Sequence, residues 1–171
     1  QPFTYTGVDY AGPFNLRYSE DGVEKDKKVW LALFECMATR LIHLELARDI
    51  STHTFVNCLR RFGFRRGFPR VIYSDNGTNF TKTAKLLGAT DSRSTSDLPS
   101  CSREVGEFDE EILQTLASRG VEWRFNTPYA PQQGGHFERL IGAVKAHLVS
   151  EKRVYKMNED EFNRVLCSIE A

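Results

Sequence analysis

The chain has no surplus of charge: 23 Lys and Arg stand against 23 Asp and Glu in 171 residues. A domain that gripped nucleic acid by overall basicity would carry an excess, so binding of that kind would have to come from local arrangement. Long apolar runs are also missing. Nothing approaches the ~18–20 residues that a membrane span needs, and no membrane partner is expected. Cysteine is sparse and unpatterned. Cys36, Cys58, Cys101 and Cys167 form no C-x-x-C pair. Nor do they make a zinc-ligand spacing with His43, His53, His136 or His147. That excludes a local zinc module and fits free thiols in a reducing, intracellular compartment. What the chain does have is enough apolar content, 40% of residues, for one domain with a proper core. Its first residues already read as strand, so an excised domain of a longer protein is expected.

Periodicity places the elements. Residues 3–12 have the aromatic and β-branched content of a strand. Residues 27–37 form a nearly continuous apolar run, the pattern of a strand buried on both faces, and 40–47 alternates. The polar stretch 13–26 reads as a hairpin loop, which makes these three strands an antiparallel meander. From 51 to 64 the period changes, with Phe55, Cys58, Leu59 and Phe62 on one helical face, Ser51 or Thr52 as cap and Gly67-Phe68-Pro69 as terminator. Residues 70–74 are a fourth strand. Strand, helix, strand implies a right-handed crossover and a parallel pairing with the meander. Residues 81–87 can start a helix, 109–120 is helical, 121–126 is a short fifth strand, and 136–152 and 158–171 are amphipathic helices. The fold class is therefore α/β, a five-stranded mixed sheet with three antiparallel strands, then two parallel, flanked by helices. Residues 88–111 hold seven acids and two bases. With the Ser/Asp-rich, aperiodic 88–104 at their start, they read as a flexible surface insertion.

Three carboxylates sit where structure alone gives them little to do. Asp75 ends the fourth strand, where ligands of open α/β sheets bind, and is followed at once by Asn76-Gly77. Asp9 lies within a strand between Val8 and Tyr10, and an acid there is costly to bury unless it pairs or binds a cation. If the fourth strand runs parallel beside the first, the two lie side by side. Glu138 opens a helix launched from the Pro/Gly-rich 127–135. Plain readings exist for two of them: turn chemistry for Asp75 and the helix dipole for Glu138. Three converging carboxylates repel, and hard divalent cations relieve that. Mg²⁺ (or Mn²⁺) suits carboxylate and phosphate oxygens, and two such ions make the clamp used for in-line attack on phosphodiesters.

The flanking residues carry a resemblance. "YSDNGTNF" at 73–80, followed by "TPYAPQQGGHFERLIGAVK" at 127–145, resembles the catalytic core of retroviral and retrotransposon integrases over residues 3 to about 168, and in motif is closest to the BEL/Pao retrotransposon type. The resemblance implies an RNase H-like fold with a D,D-x-E triad of Asp9, Asp75 and Glu138. It also implies two Mg²⁺ or Mn²⁺ ions in the active complex, and 3′-end processing and strand transfer of element DNA into target DNA. Sixty-two residues separate Asp75 from Glu138, more than retroviral cores have, and the excess falls on the 88–111 insertion. Asn76, Asn79, Tyr129, Gln132 and Lys145 match positions that contact DNA. Gly134 and Gly142 stand where relatives often have Gln and Lys. Double-stranded DNA is the implied partner and the nucleus the implied location. A homodimer through the 51–64 and 158–171 helices is implied too, and Phe64, Phe68, Phe162, Val165, Leu166 and Ile169 supply apolar surface for it. Arg60, Arg61, Arg65, Arg66 and Arg70 read as a solvated helix end or a phosphate contact. Two other readings stay open. One is a domesticated integrase fold kept as a binding scaffold. The other is an RNase H-like nuclease using Glu35 or Glu45 as a further acid.

Overall fold

A computed structural model describes residues 1–20, 23–86, 114, 118–125, 139–140, 142–144, 146–148 and 157–170. Five strands form one sheet in the order β3-β2-β1-β4-β5. β1 (Tyr5–Glu20), β2 (Val23–Cys36) and β3 (Ile42–Ala47) are antiparallel neighbours. β4 (Val71–Ser74) joins β1 in parallel, and β5 (Glu122–Phe125) joins β4 in parallel. This is the mixed sheet that the sequence predicts. Helix α1 (Thr52–Arg66) makes the crossover from β3 to β4.

β2 shows why its sequence is a continuous apolar run. Val29, Leu31 and Leu33 face one core, while Trp30, Ala32, Phe34 and Cys36 face the other. The first core lies under α1 and α2 (Thr78–Leu86) and is largely aromatic. Phe34 stacks on Phe62 at 4.4 Å between ring centroids, and Phe55 meets Phe80 edge-on at 5.0 Å. The second core joins the sheet to Val144, Leu148 and the last helix, α3 (Glu159–Glu170), through Phe162 and Leu166. Each large apolar side chain so buried contributes about 1.5–3 kcal/mol.

The helix ends follow their sequence signals. Ser51 Oγ accepts from the Thr54 N–H at 3.2 Å, and the Gly67 N–H closes on Gly63 O at 3.0 Å. Asn158 and Glu161 cap α3 reciprocally: the Glu161 N–H donates to Asn158 Oδ1 and the Asn158 N–H to Glu161 Oε2. Gly63 is required for packing, because a Cβ there would lie 2.1 Å from the Phe68 ring that covers it.

Two elements differ from expectation. Residues 13–20 and 23–26 are not loop but the outer half of a long β1–β2 ribbon, paired from Phe14↔Val29 to Glu20↔Val23 beyond a register shift at Ala11/Phe14. Its outer residues 23–28 are exposed. Phe14 and Leu16 pack on the second core, but beyond them cross-strand backbone bonds hold the ribbon, and hydrophobic alternation cannot register that. Helix α2 begins at Thr78, not 81, so it starts directly from the Asp75 turn. The 88–111 insertion lies outside the described residues.

Candidate functional site

Backbone register aligns the strand segments that lead to two of the three predicted acids. Tyr5, Thr6 and Gly7 of β1 pair with Val71, Ile72 and Tyr73 of β4, and the same offset carries residue 9 to residue 75. Continued in register, Asp75, just past the end of β4, falls level with Asp9 inside β1. Asp9 is partly buried and Asp75 exposed, so each carboxylate keeps contact with solvent. Asp9 also shares the strand parity of Ala11, a member of the second core. The helical residues Val144 and Leu148 pack in that same core.

Each carboxylate is oriented by its own neighbour. The Tyr10 N–H donates to Asp9 Oδ1 at 2.7 Å, and the Gly77 N–H donates to Asp75 Oδ1 at 2.9 Å. The Asn76-Gly77 turn answers a steric need: a Cβ on residue 77 would sit 3.0 Å from both Asp75 Oδ1 and Asn79 Oδ1. Behind Asp75 runs a buried relay. Trp123 Nε1–H donates to Ser74 Oγ at 2.9 Å, and the Ser74 hydroxyl donates to the Asp75 carbonyl at 2.8 Å. Tyr10 stacks on Phe80 at 5.5 Å, which ties β1 to the first turn of α2. Sequence reasoning missed Ser74, Trp123 and Tyr10 as supports. Only their adjacency to the two acids, or to the strand beside them, could have flagged them.

Asn76 is exposed beside Asp75, and Asn79 is partly buried in the first turn of α2. Glu138, Tyr129, Gln132 and Lys145 lie outside the described residues. No group of three His, Cys, Asp or Glu able to hold a metal occurs among the described residues. The donors described are thus a pair of carboxylates. Hard oxygen ligands of that kind, level and reached by solvent, fit Mg²⁺ or Mn²⁺ completed by water and a further acid.

The other acids considered have structural work. Glu35, buried, pairs with Arg40 at 2.8 Å. Glu45 is bound by His43 Nε2 at 2.8 Å and by Arg61 and Arg65. The nuclease reading that needs either acid at the site therefore has no support here. The arginine cluster is likewise not simply solvated, because Arg61, Arg65 and Arg66 close on Glu45 and Glu170. His43 is fully buried. Burial, which lowers its pKa, is outweighed by hydrogen bonds to Glu170 and Glu45, which raise it. A cavity of about 690 Å³ between β3, α1 and α3 is lined by Glu45, Arg48, Arg61, Arg65, Glu159 and Glu170 among others, and neither Asp9 nor Asp75 belongs to it. Its charged walls already pair with one another.

The apolar surface expected to join two copies is partly used within one. Phe162 and Leu166 are buried in the second core, with Val165 and Ile169 packed against it. Phe64, by contrast, is 74% exposed. No described helix is long and apolar enough to cross a membrane.

No family model matches the chain. An uncharacterized protein of Caenorhabditis elegans, K02A2.6, is 23% identical over 167 residues, covering 98% of this chain but only 10% of that protein. The chain thus spans about a tenth of that curated relative. Among solved structures, a chain of the simian T-cell lymphotropic virus intasome in complex with PP2A regulatory subunit B56 gamma aligns with a TM-score of 0.62 and 14% identity. The match covers 98% of this chain and 48% of that one, about half its length. The HTLV-2 integrase catalytic core domain in complex with magnesium (trimeric form) aligns with a TM-score of 0.57 and 13% identity, over 96% of this chain and 83% of that one. The five-stranded sheet with its flanking helices is the RNase H-like fold of retroviral integrase catalytic cores.

Proposed function

We propose that this chain is the catalytic core of a DNA integrase of the BEL/Pao retrotransposon type, with residues 1–171 as one core domain. The observation that carries the reading is the parallel register of β1 and β4, which leads Asp9 and Asp75 to the same level of an integrase-type sheet. The motif "PYAPQQGGHFE" supplies Glu138 as third acid. The packing of Val144 and Leu148 on the second core, whose strand parity Asp9 shares, favours this. Asp9, Asp75 and Glu138 would hold two Mg²⁺ or Mn²⁺ ions, and the HTLV-2 core is a magnesium complex. Bound divalent cations supply charge neutralisation for the attacking and leaving oxygens of a phosphodiester.

The chain's own part is placement. The Tyr10 and Gly77 N–H groups fix the rotamers of the two aspartates, and the Trp123–Ser74 relay fixes the end of β4. Asn76, Asn79, Tyr129, Gln132 and Lys145 are the proposed contacts to double-stranded DNA. Water first trims a 3′ end of the element, and the exposed 3′-hydroxyl then attacks target DNA. No side-chain nucleophile is required. We place the reaction in the nucleus and the chain in a homodimer. The near-zero net charge fits a core that shares DNA affinity with other parts of a longer protein.

The test is DNA nicking and 3′-end joining by the chain in Mg²⁺ or Mn²⁺. Asp9→Asn and Asp75→Asn should abolish both. Their stability should be unchanged or raised by up to about 1 kcal/mol, as the proposed triad of like charges requires. Unchanged joining by Asp75→Asn would refute the assignment.

A further inference from the structure

The paired register of β1 and β4 stops at Gly7↔Tyr73, two residues short of the acids on both strands. Ladder hydrogen bonds therefore do not set the spacing of Asp9 and Asp75. Something else has to hold the Asp75 turn against β1, and Tyr10 is the side chain in place to do so. Its N–H grips Asp9 Oδ1 at 2.7 Å. Its ring crosses to the first turn of α2, stacking on Phe80 at 5.5 Å with the planes 15° apart and resting edge-on against Phe55 at 6.0 Å. That turn starts from Asp75, whose Oδ1 takes the Gly77 N–H, and Asn79 Oδ1 lies beside the same glycine. One residue thus touches Asp9 directly and, through Phe80, the helix that follows the Asp75 turn.

The hydroxyl makes the case specific to tyrosine. It is buried and has no hydrogen-bond partner of ordinary geometry among the described residues. The Asn79 side chain is the polar group within reach of it. Phenylalanine would fill the same space without an unsatisfied buried oxygen, and such groups call for an explanation.

We infer that Tyr10 is a positioning residue: it keys the Asp9 strand to the Asp75 turn through Phe80, and its hydroxyl engages Asn79 when a divalent cation draws the two carboxylates together. This rests on the reading of Asp9 and Asp75 as metal ligands. The experiment is Mn²⁺ titration of the chain by calorimetry, with thermal melting of the metal-free protein alongside. Tyr10→Phe should melt at the wild-type temperature or slightly above it, yet bind Mn²⁺ about tenfold more weakly, the scale of a lost outer-shell partner. Tyr10→Leu, which also loses the ring contact with Phe80, should weaken binding further, and Asp75→Asn should abolish it. If Asp75→Asn loses Mn²⁺ while Tyr10→Phe binds as wild type does, the Tyr10 role is overturned and the metal site stands. If Asp75→Asn binds Mn²⁺ undiminished, or the wild type binds none, the metal reading falls and the inference with it.

Discussion

Glu170→Gln tests the join between the last helix and the sheet edge. Glu170 Oε1 accepts the Leu44 N–H of edge strand β3 at 2.7 Å and lies 3.2 Å from His43 Nδ1, while Oε2 takes Arg66 Nη2 at 2.7 Å. Its side chain is only 6% exposed. Burial alone would raise its pKa. The hydrogen bonds from His43 and Leu44 outweigh that and hold it at about 2, against 4.5 for the free group. At ~1.4 kcal/mol per pKa unit, the charged form is favoured by about 3 kcal/mol in the folded state. Glutamine keeps one acceptor for Leu44 but removes the charge facing His43 and Arg66, so a loss of about 2–3 kcal/mol is expected at pH 7. That is a large share of a total of roughly 5–15 kcal/mol. Because the folded pKa is depressed, this stability is fully present above about pH 4.5 and is lost as pH falls through about 2. Urea unfolding at pH 7, 4 and 3 measures it. The wild type should exceed Glu170→Gln at pH 7, and the gap should narrow steadily on acidification. A gap under about 0.5 kcal/mol at pH 7, against the ~2–3 kcal/mol expected, would refute the argument. So would a gap that ignores pH.

Three further outcomes are expected. Ser51→Ala removes the Oγ that accepts the Thr54 N–H and should cost about 1 kcal/mol in urea unfolding. Replacing residues 88–104 by a short Gly/Ser link should change stability by no more than about 1 kcal/mol, since closure entropy varies slowly with loop length; an unfolded product would show that the insertion is structural. Light scattering at micromolar concentration should give a two-fold dimer mass for the chain. Phe64→Glu, placed at the most exposed phenylalanine of α1, should return it to monomer with its melting temperature unchanged, and a wild-type mass that stays monomeric at every concentration would rule the dimer out.

Where burial dictates residue type, the sequence was readable. The run 27–37 announced a strand covered on both faces, and Phe55, Cys58, Leu59 and Phe62 announced the face of α1. Asp9 stood out because a carboxylate inside an otherwise apolar strand is costly to bury, and the fold leaves it only partly buried. The β1–β2 ribbon was not legible. Beyond Leu16 it is held by paired backbone groups, and backbone pairing leaves almost no mark on side-chain composition. The Glu45–Arg61–His43–Glu170 network was hidden for another reason. It joins residues more than a hundred positions apart, and local spacing cannot distinguish an arginine that meets a buried acid from one that meets water. Tyr10 and Ser74 were hidden by their ordinariness, since each is a usual strand residue until its neighbour across the sheet is known.

The position of Trp123 has an optical consequence. The chain contains two tryptophans. Trp30 is partly buried against the first core, whereas Trp123 is almost wholly enclosed and gives its indole proton to Ser74, the residue before Asp75. Indole emission responds to that proton's partner and to the polarity around the ring. A shift of the β4 end by a few tenths of an ångström would therefore change the colour and yield of Trp123 directly. With Trp30 replaced by phenylalanine, the protein would carry its own fluorophore two hydrogen bonds behind the Asp75 carbonyl. The approach of cations or DNA to this end of the sheet could then be followed by light, with no label attached.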